Sequence, residues 1–421
     1  MEYTILALAI AILLCFFMTW GVGANDLANV MSTTMGSKAI TVKQALIIAI
    51  IFEFAGAFLG GTNVTETMRD GIINTNQLDQ QPHVLIEGML SVLLACTVWM
   101  NLASYIGVPV SITNALVGSM VGFGSVELGT SAIHWGQVSH IAIGWITSPL
   151  IAGITSYLLF ISIQQSIFVS TNPLRRAKRF IPLYLFLIGC ILSFITIFKG
   201  LDHFNIHLSF KQNILVMLAT SLIITVIGIL FIQRIPEPLH MKRRDYFVHV
   251  EQYFAILMAM TACAMVFAHG SNDVALAIGP LSIVHSLTQH AQQSIEFTNY
   301  PNWIVLFACV GVISGFLLYG RKVIETVGSS ITALTPSRAF AATLAAATTV
   351  VMATSLGIPV SATQTLVGAV LGVGLARGIG ALNLIVIRNI FTSWILTLPA
   401  ASILTIISYK FLHILLTYHR P

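Results

Sequence analysis

Charge is scarce in this sequence. Only 8% of its 421 residues are Asp, Glu, Lys or Arg, whereas roughly a quarter of the residues are charged in an ordinary soluble domain. Hydrophobic residues make up 56% of the chain, and apolar stretches of about 20 residues, the length that crosses a bilayer, recur throughout. The composition therefore excludes a soluble protein and predicts an integral membrane protein surrounded by lipid.

Cysteine is also scarce. The five cysteines are odd in number and all lie inside apolar stretches: Cys15, Cys96, Cys190, Cys263 and Cys309. Cysteines in such surroundings are typical of small buried hydrophobes. We therefore expect neither a disulfide framework nor a thiolate metal centre, and no bound cofactor.

Twelve apolar segments predict an all-α polytopic membrane protein. Five lie in the first part, two in the centre and five in the last part: 3–22, 43–62, 84–105, 108–127, 139–165, 180–198, 213–233, 251–270, 302–319, 339–356, 358–376 and 383–415. We divide the chain into a first membrane repeat (1–170), a central helical pair with basic flanking loops (171–245) and a second membrane repeat (246–421). Five crossings in each repeat would give the second repeat an inverted topology.

Basic residues provide an independent test of this topology, because cytoplasmic loops carry an excess of Lys and Arg. With the N-terminus outside, fourteen of the twenty basic residues fall in cytoplasmic loops: Lys38, Lys43, Arg175, Arg176, Lys178, Arg179, Arg234, Lys242, Arg243, Arg244, Arg321, Lys322, Arg338 and Arg377. We therefore predict a multi-pass protein of the cell membrane with both termini outside. The net charge of +5 then comes from these loops and does not indicate a nucleic-acid partner.

Two polar elements occur twice in the same order. Gly-Ala-Asn-Asp-Leu-Ala at 23–28 returns as Gly-Ser-Asn-Asp-Val-Ala at 270–275, and Gly-Val-Pro-Val-Ser-Ile-Thr-Asn at 107–114 returns as Gly-Ile-Pro-Val-Ser-Ala-Thr-Gln at 357–364. Interrupted apolar segments at corresponding positions of two halves indicate the binding site of a secondary transporter. The sequence therefore predicts two inverted repeats whose Gly/Pro-broken helices surround one site.

The Pro-Val-Ser-x-Thr segments are candidates for holding an anion. Proline disfavours helix at the preceding residue and so marks a helix start, where free backbone N–H groups and the helix dipole attract negative charge. The hydroxyls of Ser111, Thr113, Ser361 and Thr363 would add donors. The pattern could instead be a packing kink whose hydroxyls bond back to the helix, and each segment could be re-entrant rather than spanning.

The Asn-Asp pairs are candidates for holding a cation. An ionisable residue within a membrane segment is costly and indicates function, although an Asn-Asp helix cap at the membrane boundary is the structural alternative. The stretches around the four motifs contain Asp26 and Asp273 but no Lys or Arg, so an anion held there requires a cation beside it. Oxygens of Asn25, Asp26, Asn272 and Asp273 would suit Na⁺, or a carboxylate could carry a proton.

These motifs resemble those of the inorganic phosphate transporter (PiT) family. The resemblance rests on Gly-Ala-Asn-Asp-Leu-Ala-Asn at 23–29, on Phe-Ala-His-Gly-Ser-Asn-Asp-Val-Ala at 267–275, on both Pro-Val-Ser-x-Thr segments and on Ile-Phe-Glu at 51–53. It implies a secondary active transporter that imports inorganic phosphate by symport with Na⁺ or H⁺, with alternating access around a midplane site built from inverted repeats.

The resemblance also implies residue roles. The residues that would bind phosphate are Ser111, Thr113, Asn114, Ser361, Thr363, Gln364, Asn25 and Asn272. Those that would couple the cation are Asp26, Asp273 and Glu53, and a Na⁺ ion would be held by Asp26, Asn25, Asp273 and Asn272. The sequence leaves open whether the protein forms a homodimer. The central pair at 180–233 is a candidate dimer contact because it lies outside the repeats.

Four positions depart from the family pattern. Asn114 and Gln364 stand where the family usually has His, and Leu276 stands where the second Asn-Asp motif usually has Asn. Thr343 occupies a position that is often acidic in the family. Each change removes a titratable or cation-ligating group, so the sequence leaves the choice between Na⁺ and H⁺ open.

Glu53 and His269 are further candidates. The second half has no acid corresponding to Glu53, and Val22 occupies the first-half position equivalent to His269. Glu53 could be a carboxyl hydrogen-bonded within the bundle, or it could take part in substrate or proton handling. For His269, a structural role and a coupling role both remain open.

Two rival functions remain open from the residues alone. Two membrane aspartates from two halves could form an intramembrane aspartyl enzyme, but the repeated Pro-Val-Ser-x-Thr segments would then have no explanation, so we expect a transporter and no enzyme. Sulfate is another tetrahedral oxyanion that helix ends and hydroxyls could hold. Phosphate keeps a proton at neutral pH and sulfate does not, so a carboxylate acceptor would favour phosphate.

Overall fold

The computed structural model describes residues 2–73, 82–198, 206, 208–236, 243–289, 301–324 and 331–417. Lys242, one of the predicted cytoplasmic residues, lies outside them. The described residues form a helical bundle. Its α-helices are α1 (Glu2–Val22), α2 (Ala28–Gly36), α3 (Val42–Gly60), α4 (Thr62–Asp70), α5 (Pro82–Ile106), α6 (Ile112–Glu127), α7 (Trp135–Ile163), α8 (Pro173–Phe198), α9 (Phe210–Gln233), α10 (Arg243–His269), α11 (Ala275–Gln289), α12 (Asn302–Tyr319), α13 (Pro336–Ser355), α14 (Ala362–Ala376) and α15 (Leu384–Thr417).

The all-helical membrane architecture is confirmed. Each of the twelve predicted apolar segments lies on a helix, and nine helical segments of the described residues are long and apolar enough to cross a membrane. The helices α6 and α14 have only 16 and 15 residues, and at about 1.5 Å per residue they are shorter than the ~30 Å hydrocarbon layer. Twelve crossings, the inverted orientation, the three-part division and the side of the termini stay predictions.

Two helices continue through the Asn-Asp motifs instead of ending there. A π-helical turn over Gly23–Leu27 joins α1 to α2, and another over Gly270–Val274 joins α10 to α11. The structural alternative of a helix cap at these motifs is therefore wrong. A π-helical turn contains about one residue more than an α-helical turn, so the helix continues while its i→i+4 hydrogen bonding is interrupted locally. Such π-bulges are frequent at functional sites.

The two halves pack crosswise. Helix α7 of the first half packs along α14 of the second, and α15 of the second half packs along α6 of the first. Glycine permits these close approaches, since a Cβ at Gly372 would overlap the carbonyl oxygen of Gly153. At the other contact, the Ser402 hydroxyl donates to the Gly118 carbonyl at 2.6 Å. Each short helix is therefore supported by the half to which it does not belong.

The central pair α8–α9 lies against α10. Helices α8 and α9 pack along each other, with the hydroxyls of Ser193 and Thr220 2.7 Å apart. The rings of Tyr184 on α8 and Phe254 on α10 have centroids 6.5 Å apart, which fixes the pair to the second half. A dimer contact through this pair stays a prediction.

Candidate functional site

Both Asn-Asp pairs lie in the interior of the bundle. Asn25, Asp26, Asn272 and Asp273 are each at most 1% exposed. The π-helical turns place each pair where the helix is irregular, inside a long helix and far from its ends. Burial of two carboxyl groups is costly unless they are neutralised or hydrogen-bonded. The groups that face them must therefore supply these interactions.

Both Pro-Val-Ser-x-Thr segments begin a short helix, as predicted. The Ser111 hydroxyl oxygen accepts a hydrogen bond from the Asn114 N–H at 3.2 Å, and Ser361 does the same with Gln364 at 3.2 Å. These serines are N-caps. A glycine stands at the corresponding position of the turn before each helix, with φ of 83° at Gly107 and 70° at Gly357. Glycine adopts this left-handed conformation at little cost. The two copies thus share one local geometry.

Side chains join the two elements across the halves. The Thr363 hydroxyl of the second half donates to Asp26 Oδ1 of the first half at 2.6 Å. The carbonyl of Val360 accepts hydrogen bonds from the Thr113 hydroxyl at 3.1 Å and from the Asn272 amide at 2.6 Å. One site therefore contains both Asn-Asp pairs and both helix starts.

Asn25 completes the first half of this site. Its amide nitrogen donates to the Val108 carbonyl at 2.9 Å, and its amide oxygen accepts from the Val110 N–H at 3.0 Å. The side chain thereby holds the extended backbone on both sides of Pro109. Asn25 positions the start of α6, which is a role that the sequence did not distinguish from direct substrate binding.

Glu53, His269 and Asp273 form a buried polar chain. His269 Nδ1 lies 2.6 Å from Glu53 Oε1, and His269 Nε2 lies 3.3 Å from Asp273 Oδ2. All three side chains are at most 1% exposed. The imidazole thus lies between two carboxyl groups, where a positive charge would offset theirs. The asymmetry expected from the sequence is present in the structure. The Glu53–His269–Asp273 contacts reach only the second Asn-Asp pair, because the first half has Val22 at the position equivalent to His269.

Several buried oxygens around these contacts have no hydrogen-bond partner among the residues that the structure describes. They belong to side chains already singled out by the sequence: Asp26 Oδ2, Glu53 Oε2, Asn272 Oδ1 and Gln364 Oε1. Native proteins satisfy most buried polar atoms, so each exception calls for an explanation. Oxygens of this kind suit a hard cation. A cation here would need carboxylate, amide and hydroxyl oxygens together, since no cluster of three His, Cys, Asp or Glu side chains able to hold a metal occurs in the described part of the chain.

Asn114 and Gln364 occupy a different position from the hydroxyls. Both side chains line a cavity of about 670 Å³ between α7, α14 and α15, together with Trp145 and Trp394. The Asn114 side-chain oxygen also accepts from the Ser111 hydroxyl at 3.1 Å. These two predicted phosphate ligands therefore connect the helix starts to a mainly apolar cavity.

The other two departures are accommodated by packing. The Thr343 and Thr33 hydroxyls lie 2.9 Å apart, so the threonine that departs from the family pattern is paired with a second neutral group. Leu276 is fully buried and offers no ligand atom. Leu276 therefore cannot supply a side-chain ligand to a cation, and Thr343 can supply only a neutral hydroxyl oxygen.

Known proteins match this chain over nearly its whole length. The model of the phosphate transporter family matches residues 22–405. The "Putative phosphate permease" of Haemophilus influenzae is 45% identical over 397 residues, which cover 94% of each chain. "Inorganic phosphate transporter 2-1, chloroplastic" of Arabidopsis thaliana is 35% identical over 421 residues, covering 93% of this chain and 70% of its own length.

A solved structure, that of "The sodium-dependent phosphate transporter", agrees with the fold. It superimposes with a TM-score of 0.86 at 34% identity, and covers 97% of this chain and 99% of its own. The predicted resemblance and its main functional interpretation, phosphate symport, are thereby confirmed over the sulfate and enzyme alternatives. The buried site is built from duplicated Asn-Asp pairs and Ser-capped short helices. The chain that carries it belongs to the phosphate transporter family.

Proposed function

We propose that this protein imports inorganic phosphate across the cell membrane and that Na⁺ is the coupling ion. One observation carries the proposal. The Thr363 hydroxyl, a candidate phosphate donor, is hydrogen-bonded at 2.6 Å to the Asp26 carboxyl, a candidate cation ligand. Groups suited to the anion and to the cation are therefore in direct contact, so that binding of one ion changes the surroundings of the other.

Phosphate would bind at the starts of α6 and α14. A helix N-terminus offers free N–H groups and a partial positive charge to an anion. The hydroxyls of Ser111, Thr113, Ser361 and Thr363 lie at these starts in both halves. Those of Ser111, Thr113 and Thr363 donate to protein oxygens in this structure and would exchange these bonds for bonds to the anion. Asn25 and Asn272 hold the two turns in position. These segments contain no lysine or arginine, so the coupling cation would balance the charge of the anion.

Na⁺ would bind to the oxygens of the Asn-Asp pairs. Helix N-termini for the anion and carbonyl or carboxylate oxygens for the cation are the usual division in transporters with broken helices. Asp26 Oδ2 and Asn272 Oδ1 have no hydrogen-bond partner among the described residues and are available as ligands. The relative of known structure is a sodium-dependent transporter, which supports Na⁺ over H⁺. Glu53 would act through His269 and Asp273 rather than as a ligand.

Uptake by the purified protein in proteoliposomes tests the proposal. We expect accumulation of labelled phosphate under an inward Na⁺ gradient at constant pH, and little accumulation under an inward proton gradient without Na⁺. Excess sulfate is expected to compete weakly. Equal accumulation driven by protons alone would refute the choice of Na⁺, and sulfate accumulation equal to that of phosphate would refute the substrate.

The hydroxyls at the helix starts are expected to determine phosphate affinity. Ser111→Ala and Thr363→Val each remove one donor, and a hydrogen bond to a charged group contributes roughly 1.5–3 kcal/mol. The dissociation constant for phosphate should therefore rise about tenfold to a hundredfold, as measured by titration calorimetry on purified variants.

Thr348→Val is the matched control, because the Thr348 hydroxyl donates to the Leu344 carbonyl of its own helix at 2.7 Å and to no other group in the described part of the chain. It should leave phosphate affinity within a few-fold of the wild type. If Ser111→Ala and Thr363→Val fold normally and bind phosphate as tightly as Thr348→Val, the hydroxyls are architectural and do not hold the anion.

A further inference from the structure

The start of α8 carries a cluster of positive charge on one face. Its first two turns contain four exposed basic residues: Arg175, Arg176, Lys178 and Arg179. Leu174, Ala177 and Ile181 of the same turns are buried against the bundle. We call the four exposed residues the basic face. The spacing of the buried residues holds all four cations on the outside of the protein.

The position of the basic face is electrostatically unfavourable for an isolated protein. The N-terminus of a helix already carries a partial positive charge, which basic residues do not offset, and the first turn of α8 contains no acidic residue. The side chains of Arg175, Arg176 and Arg179 contact no hydrogen-bonding or ionic partner among the residues that the structure describes. The charge of these three arginines is therefore available to a partner that lies outside the described residues.

The exposed face below the cations is apolar. Leu183 and Leu187 lie about two and three turns after Arg175 on α8, and they are 55% and 38% exposed. Helix α9, which packs along α8, exposes Leu222 and Ile227. Cations at the helix end followed by lipid-facing aliphatic side chains match the order of groups in a phospholipid, from its anionic headgroup to its acyl chains.

We propose that the basic face binds the headgroups of anionic phospholipids in the leaflet that it contacts. Charge complementarity selects this partner, because zwitterionic headgroups carry no net charge to offset the cluster. Each Lys or Arg near an anionic surface contributes about fivefold to the association. The surface is separate from the buried phosphate site and requires neither Na⁺ nor phosphate.

The test uses the full-length protein reconstituted in phosphatidylcholine nanodiscs that contain a trace of fluorescent phosphatidylglycerol. We expect phosphatidylglycerol to be enriched around the wild type relative to fluorescent phosphatidylcholine, and the enrichment to fall as salt is raised, since screening weakens exposed charge pairs. In Arg175→Gln/Arg176→Gln/Arg179→Gln the association should weaken about fivefold for each arginine removed.

The matched control is Lys43→Gln/Lys211→Gln/Lys410→Gln, which removes the same charge from three separate exposed positions. It should keep the enrichment of the wild type. Equal association of the two lipids with the wild type would overturn the proposal, and so would equal loss in both triple variants. Displacement of the lipid by millimolar soluble glycerol phosphate would also overturn it, because the face would then be a site for a free phosphate ester.

Discussion

Asp26→Asn is expected to reduce Na⁺-driven phosphate uptake to background, and so is Asp273→Asn. The amide has the shape of the carboxyl group but not its charge. The remaining side-chain oxygen at position 26 can still accept from the Thr363 hydroxyl, so the local fold should be kept. The cation loses a charged ligand in a buried site, where removal of one member of an ion pair is strongly unfavourable.

Uptake into proteoliposomes is the measurement for these variants. Glu127→Gln is the control for the carboxyl-to-amide change, since Glu127 is exposed at the end of α6 and its variant should transport like the wild type. Normal elution on gel filtration would show that the aspartate variants fold. Near wild-type uptake by both folded variants would contradict the coupling role of the aspartates.

Breaking the buried Glu53–His269 pair is expected to destabilise the whole protein. The two side chains are 2.6 Å apart and fully buried, and removal of one partner from such a pair typically costs about 3–5 kcal/mol. Glu53→Gln and His269→Gln should each lower the free energy of unfolding by that amount. The double variant should lose less than the sum, because the Glu53–His269 contact is then lost only once, while Asp273 loses its imidazole neighbour in the double variant as it does in His269→Gln.

Denaturant unfolding of the purified variants measures this coupling. His413→Gln serves as the control, because His413 lies 3.0 Å from Glu87 but its side chain is 44% exposed. Its effect should be smaller, since solvent reaches the imidazole side of this pair and screens it, although the Glu87 side chain is fully buried. If the losses in the double variant are additive, Glu53 and His269 contribute independently to stability. The predicted energetic coupling between the two side chains would then be refuted.

The sequence predicted the parts of the site that depend on local patterns. Ser111 and Ser361 were located as helix starts because proline and glycine precede them, and this rule acts within a few residues. Asp26 and Asp273 were identified because a charge in an apolar stretch is conspicuous. The repeat then related the two halves without any knowledge of their packing.

The rest of the site depends on contacts that no local pattern encodes. Glu53 and His269 are 216 residues apart, and only packing of α3 against the end of α10 brings them together. The separation of four residues between His269 and Asp273 was a usable signal, since residues at that spacing share a helix face. The π-helical turns could not be predicted, because composition alone does not distinguish an inserted residue from a helix end.

The crosswise packing of the halves has a consequence for biosynthesis. Helix α6 ends at Glu127, but α15, which packs along it, begins only at Leu384. At translation rates of about 5–20 residues per second, the ribosome needs roughly ten seconds to a minute to reach α15. During that interval the polar start of α6 has been synthesised without its final neighbour. Newly made chains should therefore be most sensitive to quality-control proteases before the last helix is inserted, and a truncation that removes α15 should expose the first half, not the second.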